Sequence, residues 1–235
     1  MRLRPTTVVL CTVLASTTAL STTEWLVGES PLWESITSDP FCDMLADGSL
    51  PNATLTRYLV QDHKFLDAFV VLLASMIAHA PTLEDRIPGA QFLGLITGKE
   101  NTYFERSFDA LGLSAAERRA PAVAATTNFQ SLMTRAADSR QLHAMLAVLV
   151  VAEWSYLAWG ERVQPKDGLS FLHLEWIDLH RGDYFAGVVA YLRGMLDALD
   201  LDDAERAETK TYFDAAVQCE RDFWLMARAE TSGEL

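Results

Sequence analysis

Residues 139–159 read SRQLHAMLAVLVVAEWSYLAW and form a strongly apolar stretch that ends at Gly160. A helix that is apolar on every side is typical of the centre of a protein core. Glu153 is the only charged residue between Gln141 and Glu161. Burying even a neutral polar group without a partner costs about 2–7 kcal/mol, and burying a charge costs more. The stretch therefore predicts a core helix in which the carboxylate of Glu153 either has a bonding partner or takes part in the protein's function.

Helical patterns continue on both sides of this stretch. In residues 55–79 the apolar positions recur at intervals of three and four, and Thr54 is placed to cap that helix. Ser114 and Glu117 have the spacing of a capping box. Further helices are predicted over residues 30–47, 82–110 with an interruption at Pro88-Gly89, 121–137, 170–179, 183–199 and 202–229. Since the sequence has no alternating strand pattern of useful length, we expect one all-α domain, a bundle of roughly eight helices.

The first residues differ in composition from the rest, and we place the helical domain at residues 25–232. Arg2 and Arg4 precede a short apolar run at residues 8–15. This order is typical of a weak targeting segment, although the run is too short to span a bilayer. Residues 1–24 are therefore predicted to be an extension, either disordered or a targeting segment.

Charge and cysteine content exclude several classes of protein. The net charge of −13 argues against a partner that is a nucleic acid or an anionic membrane, because phosphate binding needs a basic surface. The three cysteines, Cys11, Cys42 and Cys219, are too few and too far apart for a disulfide framework. They fit a reducing compartment, and we expect a cytoplasmic protein.

In three predicted helices a carboxylate shares a face with aromatic rings three, four or seven residues away. The three groups are Asp62 with Phe65 and Phe69, Glu153 with Tyr156, and Glu220 with Phe223 and Trp224. Carboxylates beside aromatic rings suit a flat ligand that carries ring nitrogens and amino groups. The pattern predicts a shared polar pocket inside the bundle.

Each carboxylate also has a structural interpretation. Glu220 is followed by Arg221, so the two residues could form an ordinary surface ion pair. Asp62 stands next to His63 and could be solvated. Glu153 could be a buried structural residue, although its apolar surroundings favour a functional one.

A metal site is a further alternative. Glu153, His173, Asp178 and His180 could together hold the metal of an oxygenase. Helical di-iron proteins use Glu-x-x-His pairs on inward faces, and the sequence contains no such pair. We therefore expect neither a metal nor an organic cofactor.

Several blocks, in order, resemble the TenA (thiaminase II) family, whose members have a haem-oxygenase-like fold. The resemblance extends over residues 32–228. Its blocks are Asp39-Pro40-Phe41, Asp47-Gly48-Ser49-Leu50-Pro51, Tyr58-Leu59-Val60-Gln61-Asp62, Trp176 with Gly182-Asp183-Tyr184-Phe185, and Glu220-Arg221-Asp222-Phe223-Trp224. The resemblance implies hydrolysis of pyrimidine-containing thiamine fragments during thiamine salvage. It also implies a homodimer or a homotetramer.

The chain departs from the family pattern at the nucleophile. The family's cysteine position matches Ala152, which places the chain in a cysteine-lacking branch where a glutamate is thought to take over that role. Glu153 is the candidate for this glutamate. Two family tyrosines match Phe65 and Phe129, and a third matches His180. Tyr156 and Phe223 are retained, and with the three substituted positions they are predicted to bind the substrate.

These residues together predict an aminohydrolase that acts on an aminopyrimidine or its formylamino precursor. Asp62 would anchor the substrate's amino group and ring nitrogen. Glu153 and Glu220 would act as general base and general acid. The aromatic residues would hold the ring. A protein that binds a thiamine-related ligand without converting it is the alternative.

Overall fold

The computed structural model describes residues 20–229, and the regular elements of this segment are all helical. Twelve α-helices and one π-helical turn follow one another: α1 (Thr22–Gly28), α2 (Trp33–Thr37), α3 (Pro40–Asp47), α4 (Asn52–His79), α5 (Leu83–Leu95), the π turn (Ile96–Glu100), α6 (Asn101–Ala110), α7 (Ala115–Arg118), α8 (Ala124–Ser139), α9 (Leu142–Arg162), α10 (Phe171–Leu179), α11 (Gly182–Asp197) and α12 (Asp203–Arg228). The predicted all-α bundle is confirmed. The described residues contain more helices than the eight expected, because several are short.

Helix α9 lies at the centre of the bundle. It packs against α4, α8, α11 and α12, and most of its residues are buried, including the whole run from His143 to Glu153. By length and composition α9 could cross a membrane, but 78% of its most apolar window is buried inside the protein. Its apolar surface is therefore covered by the other helices, as expected of a core helix.

Local sequence signals explain several helix ends. The capping box at Ser114 is present, because Ser114 Oγ accepts a hydrogen bond from the Glu117 amide and the Glu117 carboxylate accepts one from the Ser114 amide. Asp202 and Glu205 form the same motif at the start of α12. Each motif satisfies amides that the first helical turn leaves without partners.

Two helix starts differ from the prediction. The segment predicted as one helix over residues 30–47 is divided into α2 and α3, because Pro40 disfavours a helical conformation at the residue before it. Asp39 instead caps α3, and its Oδ1 accepts a hydrogen bond from the Phe41 amide at 2.9 Å. Helix α4 begins at Asn52, so that Thr54 lies inside the helix and Pro51 occupies the capping position.

The interruption predicted at Pro88-Gly89 is also wrong. Pro88 lies within α5, in its second turn, and the helix continues through it. Pro88 has no amide hydrogen to donate within the helix. In the preceding turn, the Tyr191 hydroxyl donates a hydrogen bond of 2.5 Å to the Asp85 carbonyl. The departure from α geometry comes later, at the π turn of residues Ile96–Glu100.

The folded part begins closer to the amino terminus than residue 25. Helix α1 starts at Thr22, and the Thr23 amide and hydroxyl donate hydrogen bonds of 2.7 and 3.0 Å to the Asp197 carboxylate on α11. These bonds hold α1 against the bundle. Of the extension predicted at residues 1–24, residues 1–19 lie outside the described residues.

Candidate active site

An internal cavity lies where α4, α5 with the π turn, α8, α9, α10 and α12 meet. The space between its wall atoms is about 470 Å³, a volume that includes the opening to solvent. Its lining consists of Asp62, Phe65, Leu66, Phe69, Phe92, Ile96, Glu100, Phe129, Ala152, Glu153, Tyr156, Trp176, His180, Glu220 and Phe223. All eight residues predicted from the sequence as catalytic or substrate-binding therefore line one cavity.

One face of α4 forms the first wall. Asp62, Phe65 and Phe69 are three or four residues apart, and all three reach the cavity. The neighbouring residue, Gln61, joins α4 to the start of α8, since its Oε1 accepts hydrogen bonds from the Val123 amide and the Thr126 hydroxyl at 3.0 and 2.7 Å. This connection sets the position of α8 against the cavity.

Aromatic rings close the apolar sides. Phe65 meets Phe129 edge to face at a centroid distance of 4.9 Å, and Phe223 lies 6.4 Å from Phe65. On α9 the Tyr156 hydroxyl is hydrogen-bonded to that of Tyr58 at 2.8 Å. Aromatic rings in such contacts keep fixed orientations. The walls are thus prepared for a flat ring.

His180 enters the cavity from the end of α10. Its Nδ1 lies 2.8 Å from the carbonyl oxygen of Trp176, which can only accept, so Nδ1 carries the proton and Nε2 is an acceptor. Burial lowers the pKa of His180 to about 4, and the hydrogen bond to Trp176 opposes this shift. The imidazole is therefore neutral near pH 7.

Close packing of α9 fixes the backbone at His180. An ideal Cβ on Gly160 would lie 2.2 Å from the His180 carbonyl oxygen. Only glycine allows the two backbones to approach this closely. Gly160, which the sequence suggested only as a helix end, therefore helps to place His180.

Four carboxyl groups share this cavity, and burial raises the pKa of each. Burial makes the largest contribution to the raised pKa of Glu153, followed by the charges of Glu100, Glu220 and Asp62. Burial and the charge of Glu100 raise the pKa of Asp62, while the hydrogen bond from the Tyr58 hydroxyl lowers it. Burial and the charge of Asp62 raise the pKa of Glu220. Burial raises the pKa of Glu100 to about 8. At neutral pH the group as a whole retains protons.

The sequence analysis predicted a helical region over residues 82–110 but did not single out Glu100 within it. A usable signal was present in the spacing of Phe92, Ile96 and Glu100, which are four residues apart. All three line the cavity. The carboxylate continues an apolar stripe, as Glu153 does on α9.

The structure does not assemble the alternative metal site. Asp178 lies at the surface in an ion pair of 2.5 Å with Arg181, and His173 Nδ1 is hydrogen-bonded to the Ser170 hydroxyl at 3.0 Å. Of the four proposed ligands, only Glu153 and His180 line the cavity. Within residues 20–229 no three His, Cys, Asp or Glu side chains are grouped so that they could hold a metal ion.

The fold agrees with the comparisons to known proteins. The TENA/THI-4/PQQC family matches residues 29–230, and the chain belongs to this family. An aminopyrimidine aminohydrolase from Halalkalibacterium halodurans is 29% identical over 205 residues, which cover 85% of this chain and 92% of that protein. A second aminopyrimidine aminohydrolase, from Bacillus subtilis, is 27% identical over 198 residues, or 83% and 84% of the two chains.

A solved structure confirms the fold. The crystal structure of a TenA family transcription regulator from Silicibacter sp. TM1040 matches with a TM-score of 0.77 and 24% identity, covering 88% of this chain and 96% of that chain. At this identity the likeness concerns the fold alone. It confirms the predicted haem-oxygenase-like bundle.

Proposed function

We propose that this protein is an aminopyrimidine aminohydrolase, which hydrolyses a C–N bond of a thiamine-derived aminopyrimidine in thiamine salvage. The observation that carries the proposal is an aromatic cavity with four carboxyl groups and no lysine or arginine among its lining residues. A pyrimidine with amino substituents has the complementary shape and hydrogen-bonding groups. Two relatives that cover most of the chain are named for this activity.

Side chains of α4, α8 and α12 bind the ring. Phe65, Phe129 and Phe223 provide apolar contacts on the faces and edges of the ring. Asp62 accepts hydrogen bonds from the ring amino group, or shares a proton with a ring nitrogen. This arrangement fixes the ring so that its exocyclic carbon faces α9 and the carboxyl groups there.

Proton transfer falls to Glu153 and Glu220. One carboxylate takes a proton from water as the water oxygen bonds to the carbon that carries the leaving nitrogen and the C–N bond breaks. The other carboxyl group donates a proton to the departing nitrogen in the same step. Raised pKa values allow one carboxyl group to be protonated near pH 7 while a second one is ionised.

The first test is a product assay with thiamine, aminomethyl-pyrimidine and formylaminomethyl-pyrimidine, read by mass spectrometry. We expect the wild-type protein to release hydroxymethyl- or aminomethyl-pyrimidine. Glu153→Gln, which keeps the shape but removes the acid, should lower kcat at least about a hundredfold, the usual contribution of one acid–base group. The exposed Glu105, replaced by Gln, serves as the control and should keep wild-type turnover.

Two results would contradict the proposal. Full activity of Glu153→Gln would remove Glu153 from the mechanism. If none of the three compounds is converted although aminomethyl-pyrimidine raises the melting temperature, the protein is a pyrimidine-binding protein and not a hydrolase.

The proposal also includes a cytoplasmic location and a homo-oligomeric state. The free thiols of Cys42 and Cys219 agree with a cytoplasmic protein. A homodimer or homotetramer is supported by the exposed apolar side chains of Leu83 and Tyr184, which are 70% and 53% accessible in the single chain. Light scattering after size-exclusion chromatography gives the mass, and a monomer would contradict this part.

A further inference from the structure

The cavity has acidic groups in excess of any positive charge that its walls supply. Of its lining residues four are carboxylic acids, and the one basic side chain, His180, is neutral because burial lowers its pKa to about 4. Burial raises the pKa of these carboxyl groups and keeps them protonated, so ionising one of them in this site needs a counter-charge. The cavity walls do not provide one, so the ligand itself is the remaining source.

Resting on the proposed function, we propose that Glu100 is a specificity-determining residue that binds the protonated exocyclic amine of the substrate. The protein would thereby select a cationic aminomethyl-pyrimidine over neutral pyrimidines such as the formylamino precursor. Glu100 is not one of the three acids, Asp62, Glu153 and Glu220, to which the proposed hydrolysis assigns a role. Its function is recognition of charge.

The position of Glu100 supports this role. It is the last residue of the π turn, and only 9% of the residue is exposed although it lines the cavity. Within residues 20–229 its carboxylate has neither an ion pair nor a hydrogen-bond partner, and burial is the cause of its raised pKa. A bound ammonium group would supply charge-assisted hydrogen bonds to it.

Helical spacing explains why this side chain reaches the cavity. Residues four apart lie on the same face of a helix. Phe92, Ile96 and Glu100 accordingly all line the cavity, while Thr97 between them is exposed. Single π turns inside α-helices are frequent at functional sites.

Glu100 also lies near the groups that the reaction uses. Among neighbouring charges, the Glu100 carboxylate makes the largest contribution to the raised pKa of both Asp62 and Glu153. A cation bound at Glu100 is therefore close to the ring anchor and to the acid–base residue. An amine that leaves from the exocyclic carbon has to occupy this region.

The test measures affinity in the Glu153→Gln background, so that slow turnover does not obscure binding. Isothermal titration calorimetry compares aminomethyl-pyrimidine with hydroxymethyl-pyrimidine, which differ in one charged group. We expect the Glu153→Gln protein to bind the amine at least about tenfold more tightly, and the added change Glu100→Gln to lose about tenfold or more for the amine while the affinity for the alcohol changes less than about threefold. Glu105→Gln, an exposed change on α6, should alter neither affinity.

A second variant separates charge from shape. Glu100→Asp keeps the charge but shortens the side chain, and it should retain more of the preference for the amine than Glu100→Gln does. Circular dichroism establishes that each variant is folded. An equal loss of affinity for both ligands, or no loss in Glu100→Gln, would overturn the role of Glu100.

The two proposals fail in different ways. If wild-type protein binds or converts pyrimidines but Glu100→Gln keeps the preference for the amine, only the specificity proposal is wrong. If wild-type protein binds neither ligand and converts none of the three candidate substrates, the proposed function is wrong and this inference with it.

Discussion

Alanine at position 152 leaves the cavity without a thiol. Cys42 is buried and does not line the cavity, and burial raises the pKa of its thiol well above the usual value. Cys219 does not line the cavity either, and burial raises its pKa to about 12. A thiolate is the reactive form of cysteine. The proposed mechanism therefore uses carboxyl groups and not a thiol.

Glu100 should make stability depend on pH. Its pKa is about 8 in the folded protein and 4.5 when unperturbed, so between these values the folded state holds a proton that the unfolded state has lost. The free energy of unfolding should therefore be highest below about pH 4.5 and fall as pH rises to 8, by up to about 1.4 kcal/mol for each pH unit. Glu100→Gln should flatten this decline.

Urea unfolding at pH 5, 6, 7 and 8 measures the effect. The variant should gain stability over wild type as pH rises, and the two proteins should be nearly equal at pH 5. The burial of Asp62 and Glu153 leaves some slope in the variant, because both also have raised pKa values. Parallel curves for the two proteins would show that Glu100 is not buried in an unpaired state.

At the scale of helices, periodicity and capping residues predicted most of the elements. The stripe along α4, the apolar run of α9 and the acidic cap of α12 are local signals, since each acts within a few residues of chain. The π turn at Ile96–Glu100 has no such signal. Pro88 also misled the prediction, because the hydrogen bond from Tyr191 near that turn comes from a distant helix.

Gly160 allows a test of how α9 positions His180. Gly160→Ala would place a methyl group 2.2 Å from the His180 carbonyl oxygen, so one of the two backbones must move. We expect a loss of about 1–3 kcal/mol in stability, as for other overpacked sites. Affinity for aminomethyl-pyrimidine should fall as well, because His180 lines the cavity.

A matched glycine provides the control. Gly187 lies within α11, and an added Cβ there would meet no atom within 4 Å. Gly187→Ala should therefore raise stability by roughly 0.5–1 kcal/mol, since alanine favours a helix, and leave ligand affinity unchanged. Thermal unfolding distinguishes the two variants, and equal shifts in melting temperature would refute the close-contact explanation.

At the scale of the whole molecule, the dominant property is a net charge of −13. Like charges repel in the compact state, and salt screens them, with a Debye length of about 8 Å at 0.15 M. Raising NaCl from about 10 to 150 mM at pH 7.5 should increase the melting temperature by roughly 2–4 °C, the shift that about 1 kcal/mol produces at this size.

Repeating the salt series near pH 5 gives the comparison. The sequence has an isoelectric point near 4.7, so the repulsion is small there and salt should have little effect. If salt lowers the melting temperature at pH 7.5, attractive ion pairs such as Arg228–Asp39 outweigh the repulsion.

The sequence by itself determined the helical class, the core position of α9 and the eight side chains predicted to form one site. The class and the core helix follow from burial preference and from helical spacing, which are both readable along one segment of chain. Phe129 and His180 were included in the site because of the family resemblance. Only the tertiary structure decided that Glu100 joins the other three acids, that Asp178 and His173 do not, and that His180 is neutral. These features depend on which side chains from distant helices line the same cavity, and on how completely the cavity excludes water.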